Sequence, residues 1–192
     1  MEALARELLR IFIAVDVEDP LLVSRLERLK DLIVSTGVPM KPVETQNFHI
    51  TLRFIGESPP DVVERVREAL LSLKRSKFKI VFSGLGAFPS PIRPRVVWVG
   101  VTEGGEALKD IRDELEGHLR EIGIRPERQS FHPHVTLARI KGSRNLPQLQ
   151  RILNEYQDYL VGEMIVKHVR LKKSTLTRRG PIYETLAEIE LE

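Results

Sequence analysis

The stretch NFHITLRF at residues 47–54 and a second stretch, HPHVTLAR at residues 132–139, decide how this chain is expected to fold. Each contains His-x-Thr-Leu inside a run that alternates apolar and polar residues, which is typical of a β-strand with one buried face. Side chains two residues apart on a strand share a face, so each histidine is predicted to project beside its threonine. The two pairs are His49 with Thr51 and His134 with Thr136.

The same order of elements surrounds both motifs. Ile13 precedes His49 by as many residues as Trp98 precedes His134, and both lie in the middle of an apolar run. Periodicity predicts strand, helix, motif strand, helix and strand twice in succession. The predicted strands are 9–17, 48–55, 77–82, 95–101, 132–140 and 163–176, and the predicted helices are 20–35, 58–75, 104–122 and 146–158. This order predicts an α+β fold with two pseudo-symmetric lobes, each an antiparallel sheet with outer helices, and an active site in the cleft between them.

The Gly- and Pro-rich stretch SGLGAFPSPIRP favours a boundary between the repeats. We therefore predict one bilobal domain over 1–192, with lobes at 9–83 and 95–176 and a connector at 84–94. An alternating run at 182–191 predicts a C-terminal strand.

Composition limits the classes of protein to which the chain can belong. Its 192 residues are 42% hydrophobic and 30% charged, which is typical of a globular protein. The lack of cysteine excludes disulfides, thiolate metal sites and cysteine nucleophiles. Without an apolar run of membrane-spanning length, a soluble cytoplasmic protein without membrane attachment is expected. A formal charge of +3 and basic clusters such as KHVRLKKSTLTRR at 167–179 fit an anionic ligand.

Two His-x-Thr pairs facing one pocket would form an acid–base site. One imidazole can accept a proton while the other, protonated, donates one. Threonine hydroxyls can donate hydrogen bonds to the oxygens between them, and a nearby arginine can hold an anion. A single pair on a strand is more often a surface pair, but the core pattern does not require His and Thr twice. The set suits displacement at phosphorus.

Other polar residues near the motifs are weighed by their spacing. Arg53 is predicted on the face of His49 and Thr51, as a substrate contact. Arg139 comes five residues after its histidine rather than four, and breaks the alternation, so the strand is predicted to end or bulge there and deliver a cation to the rim of the cleft. Tyr183, after a Gly-Pro turn, is a second candidate substrate contact.

An ordered set of stretches across about residues 10–190 resembles one family. RIFIAVDV, NFHITLRFIGE, GLGAFPSPIRPRVVWVGV, FHPHVTLARIKG and LKKSTLTRRGPIYETL are similar to segments of the 2H phosphoesterases, and more narrowly of the archaeal and bacterial RNA 2′,3′-cyclic phosphodiesterases, long named 2′-5′ RNA ligases. The first eight residues, MEALAREL, look like an extension outside this resemblance.

The resemblance implies hydrolysis of a 2′,3′-cyclic phosphate at an RNA end, on tRNA or RNA fragments, to a 2′-phosphate, without metal or other cofactor. It implies His49 as proton donor, His134 as proton acceptor, and Thr51, Thr136 and Arg139 as phosphate ligands. The opposite assignment of acid and base stays open, as does reverse 2′-5′ ligation. A monomer is expected because one chain supplies both pairs.

Alternative readings also stay open. The substrate could be a small cyclic nucleotide such as ADP-ribose cyclic phosphate, or the chain could be a non-catalytic module that binds RNA ends. His132 and His134 form a His-x-His pattern that metal sites also use. Because the second motif holds no carboxylate and the chain no cysteine, a loop role for His132 is favoured over metal binding.

Overall fold

The apolar runs form nine strands and four α-helices within residues 7–192, the part of the chain that the computed structural model describes. Most of the N-terminal extension inferred from the sequence, residues 1–6, lies outside the described residues. The strands are β1 (Leu9–Asp16), β2 (Met40–Pro42), β3 (His49–Ser58), β4 (Phe78–Phe88), β5 (Val96–Glu103), β6 (His134–Ile140), β7 (Leu160–Val166), β8 (His168–Thr177) and β9 (Gly180–Glu190). The helices are α1 (Pro20–Val34), α2 (Pro60–Leu71), α3 (Gly105–Glu121) and α4 (Leu146–Glu155), and a 3-10 turn spans Thr45–Asn47.

One curled antiparallel sheet carries the two motif strands side by side. Its order is β7-β4-β5-β6-β3-β1-β8-β9, and β2 pairs with the outer part of β6. At the centre, β3 meets β6 through the backbone pair Ile50 and Val135. Both side chains belong to a core cluster that includes the apolar faces of all four helices. The α+β class with outer helices on an antiparallel sheet is therefore confirmed.

The pairing of strands crosses the lobes that sequence order suggests. β4, which follows the first motif, pairs with β5 and β7 of the second half. β8, which follows the second motif, pairs with β1 and β9. Each half thus gives its last strand to the other, so the bounds 9–83 and 95–176 do not describe strand pairing. Local periodicity cannot reveal this because it says nothing about distant partners.

The predicted connector at 84–94 is wrong in its first part, because β4 continues to Phe88. Gly84 has a φ of +84° and lies at a shift in register between β4 and β5, where it is skipped in the pairing. Gly86 lies under the ring of Trp98, and a Cβ atom there would lie 2.3 Å from Trp98 Cη2. Both glycines therefore lie within β4, where Gly84 allows the shift in register and Gly86 leaves room for the ring of Trp98. The connection to β5 is the shorter stretch 89–95.

The predicted strand 163–176 is two strands that meet at Lys167. β7 lies next to β4 at one end of the strand order, whereas β8 lies next to β1 near the other end. Since only one residue separates them, the sheet must curl until its opposite sides meet. No helix within residues 7–192 is long and apolar enough to cross a membrane.

Candidate active site

Both His-x-Thr pairs line one cleft of about 560 Å³. Ile50 and Val135 are backbone partners on antiparallel strands, so the residue before one lies opposite the residue after the other. This register sets each histidine beside the threonine of the other motif, on the face away from the core. The four polar side chains are His49, Thr51, His134 and Thr136.

Each imidazole is held by a backbone carbonyl two residues earlier in the chain. Nδ1 of His49 donates to the carbonyl of Asn47 at 2.7 Å, and Nδ1 of His134 donates to the carbonyl of His132 at 2.5 Å. Because a carbonyl only accepts, these bonds put the Nδ1 proton in place and leave Nε2 for chemistry. In the neutral form of His49, Nε2 accepts from the Thr51 hydroxyl at 3.1 Å.

Aromatic rings pack against both imidazoles. The His49 ring lies 5.2 Å from that of Phe12 and 5.3 Å, edge to face, from that of Tyr183. The His134 ring lies 5.1 Å, again edge to face, from that of Phe88 and 6.0 Å from that of Trp98. The two histidines therefore sit in matching apolar settings, one on each side of the central pair of strands.

This setting changes the protonation of both histidines. Burial lowers the pKa of His49, the ammonium of Lys172 lowers it further, and the Asn47 carbonyl and Asp16 oppose the change. Burial also lowers the pKa of His134, with His132 and Arg139 acting in the same direction and the His132 carbonyl opposing them. Of the two, only His49 has a carboxylate among the groups that shift its pKa.

A β-bulge follows the threonine of each motif. β1 pairs with Thr51 and then with Arg53, skipping Leu52, and β5 pairs with Thr136 and then with Ala138, skipping Leu137. The skipped leucines and the residues after them are all buried. Each bulge therefore turns the fourth residue after the histidine into the core and the fifth into the cleft.

This geometry explains the unequal spacing of the two arginines. Arg139, the fifth residue after His134, lines the cleft as the sequence predicts. Arg53, the fourth after His49, is 6% exposed and does not line the cleft. Its guanidinium binds Glu116 of α3 and the carbonyls of Phe54 and Arg125. The prediction that Arg53 shares a face with His49 is wrong, and Phe54, the fifth residue after His49, lines the cleft instead.

The β8–β9 hairpin closes the other side of the cleft and brings Tyr183 to it. Burial raises the pKa of the Tyr183 hydroxyl, and Arg139 and Arg10 oppose the change. The side-chain amide of Asn47 donates to the carbonyl of Pro181 at 3.1 Å. Asn47 thus orients His49 with its carbonyl and anchors the hairpin with its side chain. Sequence reasoning missed it, although its position two residues before His49 matches that of His132 before His134.

The cleft is strongly basic. Among residues 7–192, five cationic side chains line it against one carboxylate, that of Glu44. The cations are Arg10, Lys41, Arg139, Lys141 and Arg179. The arrangement can hold an anion between two imidazoles of which one gives and the other takes a proton.

His132 is exposed and lies beside the cleft, and its carbonyl accepts the hydrogen bond from Nδ1 of His134. Within the described range 7–192, no three side chains of His, Cys, Asp or Glu are grouped so that they could hold a metal ion.

Comparison with known proteins finds a matching family model and several similar proteins. The family model described as the 2′-5′ RNA ligase superfamily matches residues 20–175. The RNA 2′,3′-cyclic phosphodiesterase of Aeropyrum pernix is 57% identical over 169 residues, which cover 88% of this chain and 96% of that protein. The protein of the same name from Archaeoglobus fulgidus is 41% identical over 182 residues, covering 95% of this chain and 100% of its own.

Solved structures share the fold. A Thermus thermophilus protein superposes with a TM-score of 0.77 at 26% identity, over 94% of this chain and 97% of its own. Escherichia coli LigT complexed with 3′-AMP also gives 0.77, at 21% identity, over 96% of this chain and 99% of its own.

Proposed function

Because this chain belongs to the 2′-5′ RNA ligase superfamily, we propose that it is an enzyme that hydrolyses RNA 2′,3′-cyclic phosphodiester ends to 2′-phosphates. The observation that carries the proposal is the placement of two His-x-Thr pairs on adjacent strands, facing one basic cleft. The names of the relatives from Aeropyrum pernix and Archaeoglobus fulgidus support the same activity and substrate class.

The cyclic phosphate binds between the two motifs. The hydroxyls of Thr51 and Thr136 donate hydrogen bonds to its non-bridging oxygens, and the guanidinium of Arg139 balances its charge. As phosphorus gains its fifth oxygen, negative charge grows on these oxygens, so the same donors hold the transition state more strongly than the substrate.

The two imidazoles move the protons. A water molecule gives a proton to Nε2 of His134 while its oxygen forms a bond to phosphorus. The bond between phosphorus and O3′ breaks, and O3′ takes its electron pair together with a proton from Nε2 of His49. A 2′-phosphate and a free 3′-hydroxyl result. Since the imidazoles supply both proton transfers, this mechanism calls for no metal ion.

The charges around the histidines support this division of roles. Asp16 favours the protonated form of His49, whereas no carboxylate of the described residues acts on His134 and Arg139 favours its neutral form. Lys172 acts against Asp16 in the free protein, and the negative charge of the bound phosphate favours protonation of both imidazoles, so the division of roles rests on the carboxylate of Asp16, which acts on His49 but not on His134. His49 is therefore the acid and His134 the base.

The same geometry with a different nucleophile gives a 2′-5′ ligation, in which O3′ is again the leaving oxygen and takes its proton from His49. There the 5′-hydroxyl of a second RNA takes the place of water, and one chain still supplies both imidazoles, which supports a monomeric enzyme.

The decisive experiment is product analysis on an RNA that ends in a 2′,3′-cyclic phosphate. We expect a 2′-phosphate, identified by ³¹P NMR against 2′- and 3′-phosphate standards, at an undiminished rate in EDTA. His49→Ala and His134→Ala should each abolish turnover while the circular dichroism spectrum is unchanged. A 3′-phosphate product would contradict the assigned leaving group, and no turnover by the unaltered protein would contradict the function.

A further inference from the structure

We propose that Lys41, Lys141 and Arg179 form a second phosphate subsite, which holds the phosphodiester on the 5′ side of the terminal nucleoside. The enzyme would then prefer an oligonucleotide end over a cyclic mononucleotide. This inference rests on the proposed function and names the part of the substrate that the rim of the cleft recognises.

Strand β6 leads from the reacting phosphate to this subsite. His134 and Thr136 lie at its inner end, and Arg139 lies near its other end after the bulge; Lys141 follows the strand directly, with its backbone N–H donating to the carbonyl of Pro39, and both cations line the cleft. Residues two apart on a strand are separated by about 6.5 to 7 Å, which suits contacts with successive phosphates of an extended RNA strand. With Arg139 on the cyclic phosphate, Lys141 is placed for the next phosphate along the chain.

Two further cations come to the same place from other segments. Lys41 is the backbone partner of Arg139, because β2 pairs with β6. Its side chain reaches the tip of the β8–β9 hairpin, where a Cβ atom on Gly180 would lie 3.8 Å from Lys41 Nζ. Arg179, next to that glycine, lines the same cleft. Three separate segments, β2, the end of β6 and the β8–β9 hairpin, thus bring positively charged side chains to the same part of the cleft.

The electrostatic state of these side chains supports an anionic occupant. All three are exposed, and in the described part of the chain none makes an ion pair with a carboxylate. Lys173, only a few residues from the hairpin tip, is by contrast paired with Glu184 at 3.3 Å. The carboxylate of Glu44, which also lines the cleft, already accepts from the amide of Gln46. Unneutralised cations beside a phosphate-binding centre attract further phosphates and release counterions when they bind them.

The test compares a cyclic mononucleotide with a dinucleotide that ends in the same cyclic phosphate, and with that dinucleotide carrying an uncharged methylphosphonate linkage. For the unaltered enzyme we expect the charged dinucleotide to have the highest kcat/KM. The double variant Lys41→Gln, Lys141→Gln should lose about tenfold on the charged dinucleotide alone, mainly through KM, and its salt dependence should weaken by about one unit of slope per contact. Lys167→Gln, which removes an exposed lysine outside the cleft, is the matched control.

The methylphosphonate substrate makes the result specific. If the lysines contact the linking phosphate, its loss of charge and the double substitution should have the same effect, and together no more than either alone. Equal losses on all three substrates, or no loss on the charged dinucleotide, would overturn the subsite. Binding of a fluorescent dinucleotide with a 2′-phosphate end, measured with and without the charged linkage, tests the subsite even if hydrolysis fails and so separates the two proposals.

Discussion

Ile50 of β3 and Val135 of β6 are backbone partners, and both side chains are fully buried. Each is the residue that follows a motif histidine, so this one contact sets the distance between the two halves of the acid–base site. Packing in the core therefore affects catalysis, because β3 and β6 carry these buried side chains on one face and the two His-x-Thr pairs on the other.

Removing volume at this contact should harm both stability and activity. Ile50→Ala should lower the free energy of unfolding by about 2 to 5 kcal/mol, whereas Ile50→Val should lower it by about 0.5 to 1.5 kcal/mol. Because a cavity lets β3 and β6 shift, we also expect kcat to fall in Ile50→Ala under conditions where it is fully folded. Chemical denaturation and steady-state kinetics measure the two effects, and an unchanged kcat would contradict the role of this contact.

Substitution of the two arginines after the motifs should have opposite effects: one should lower stability and the other activity. Arg53→Met breaks a buried ion pair with Glu116 and should cost about 3 to 5 kcal/mol of stability, with little loss of kcat/KM in the folded fraction. Arg139→Met should leave stability within about 0.5 kcal/mol but lower kcat/KM by about 100-fold, since the phosphate loses its cation. Both changes remove one positive charge, so each controls for the other; similar profiles would contradict the assignment.

The pH profile of kcat/KM should be bell-shaped, because one histidine must be protonated and the other neutral. Burial lowers the pKa of both below the ordinary 6.5, so we expect both limbs on the acid side of that value and a falling rate above it. NMR titration of the free enzyme should find the same two groups. A limb above pH 7 that coincides with the NMR titration of His49 or His134 would contradict the role of burial.

The same shifts predict how stability depends on pH. The unfolded chain binds protons at these two histidines at higher pH than the folded chain, so the free energy of unfolding should fall as pH drops from about 6.5 through the folded pKa values. Denaturation midpoints of His49→Gln and His134→Gln should show a shallower dependence over this range.

Lys172 should tune His49 from behind the cleft. Its ammonium is buried, lies 2.7 Å from Asp16 and lowers the pKa of His49. Lys172→Met should therefore raise the pKa of His49, as measured by NMR titration, and move the limb of the kcat/KM profile that matches this titration to higher pH. Lys173→Met, which removes the neighbouring charge paired with Glu184, is the control and should leave the pKa of His49 unchanged. An equal shift in the pKa of His49 in both variants would indicate a general effect of net charge instead.

Much of the site follows from local pattern. Alternation alone assigned His49 and Thr51 to one face and His134 and Thr136 to another, and the repeated order of elements brought the two faces to one cleft. This works because side-chain direction on a strand is a property of the strand itself.

What local pattern could not give depends on backbone irregularity and distant partners. HITLRF alternates without a break, yet a bulge at Leu52 sends Arg53 into the core, where Glu116 from another element compensates its charge. Only the difference in spacing from Arg139 hinted at this. The role of Asn47 depends on Pro181, which lies in a hairpin far along the chain.

The exchange of last strands between the two halves sets the order in which the molecule can become active. β1 pairs with β3 on one edge and with β8 on the other, where Ile13 is the partner of Leu171, so β1 lacks its second neighbour until β8 has been synthesised. Pairings of such long range slow folding and make it depend on the whole chain. A truncated or nascent chain cannot offer one working half of the site, and turnover should switch on only when the last hairpin is in place.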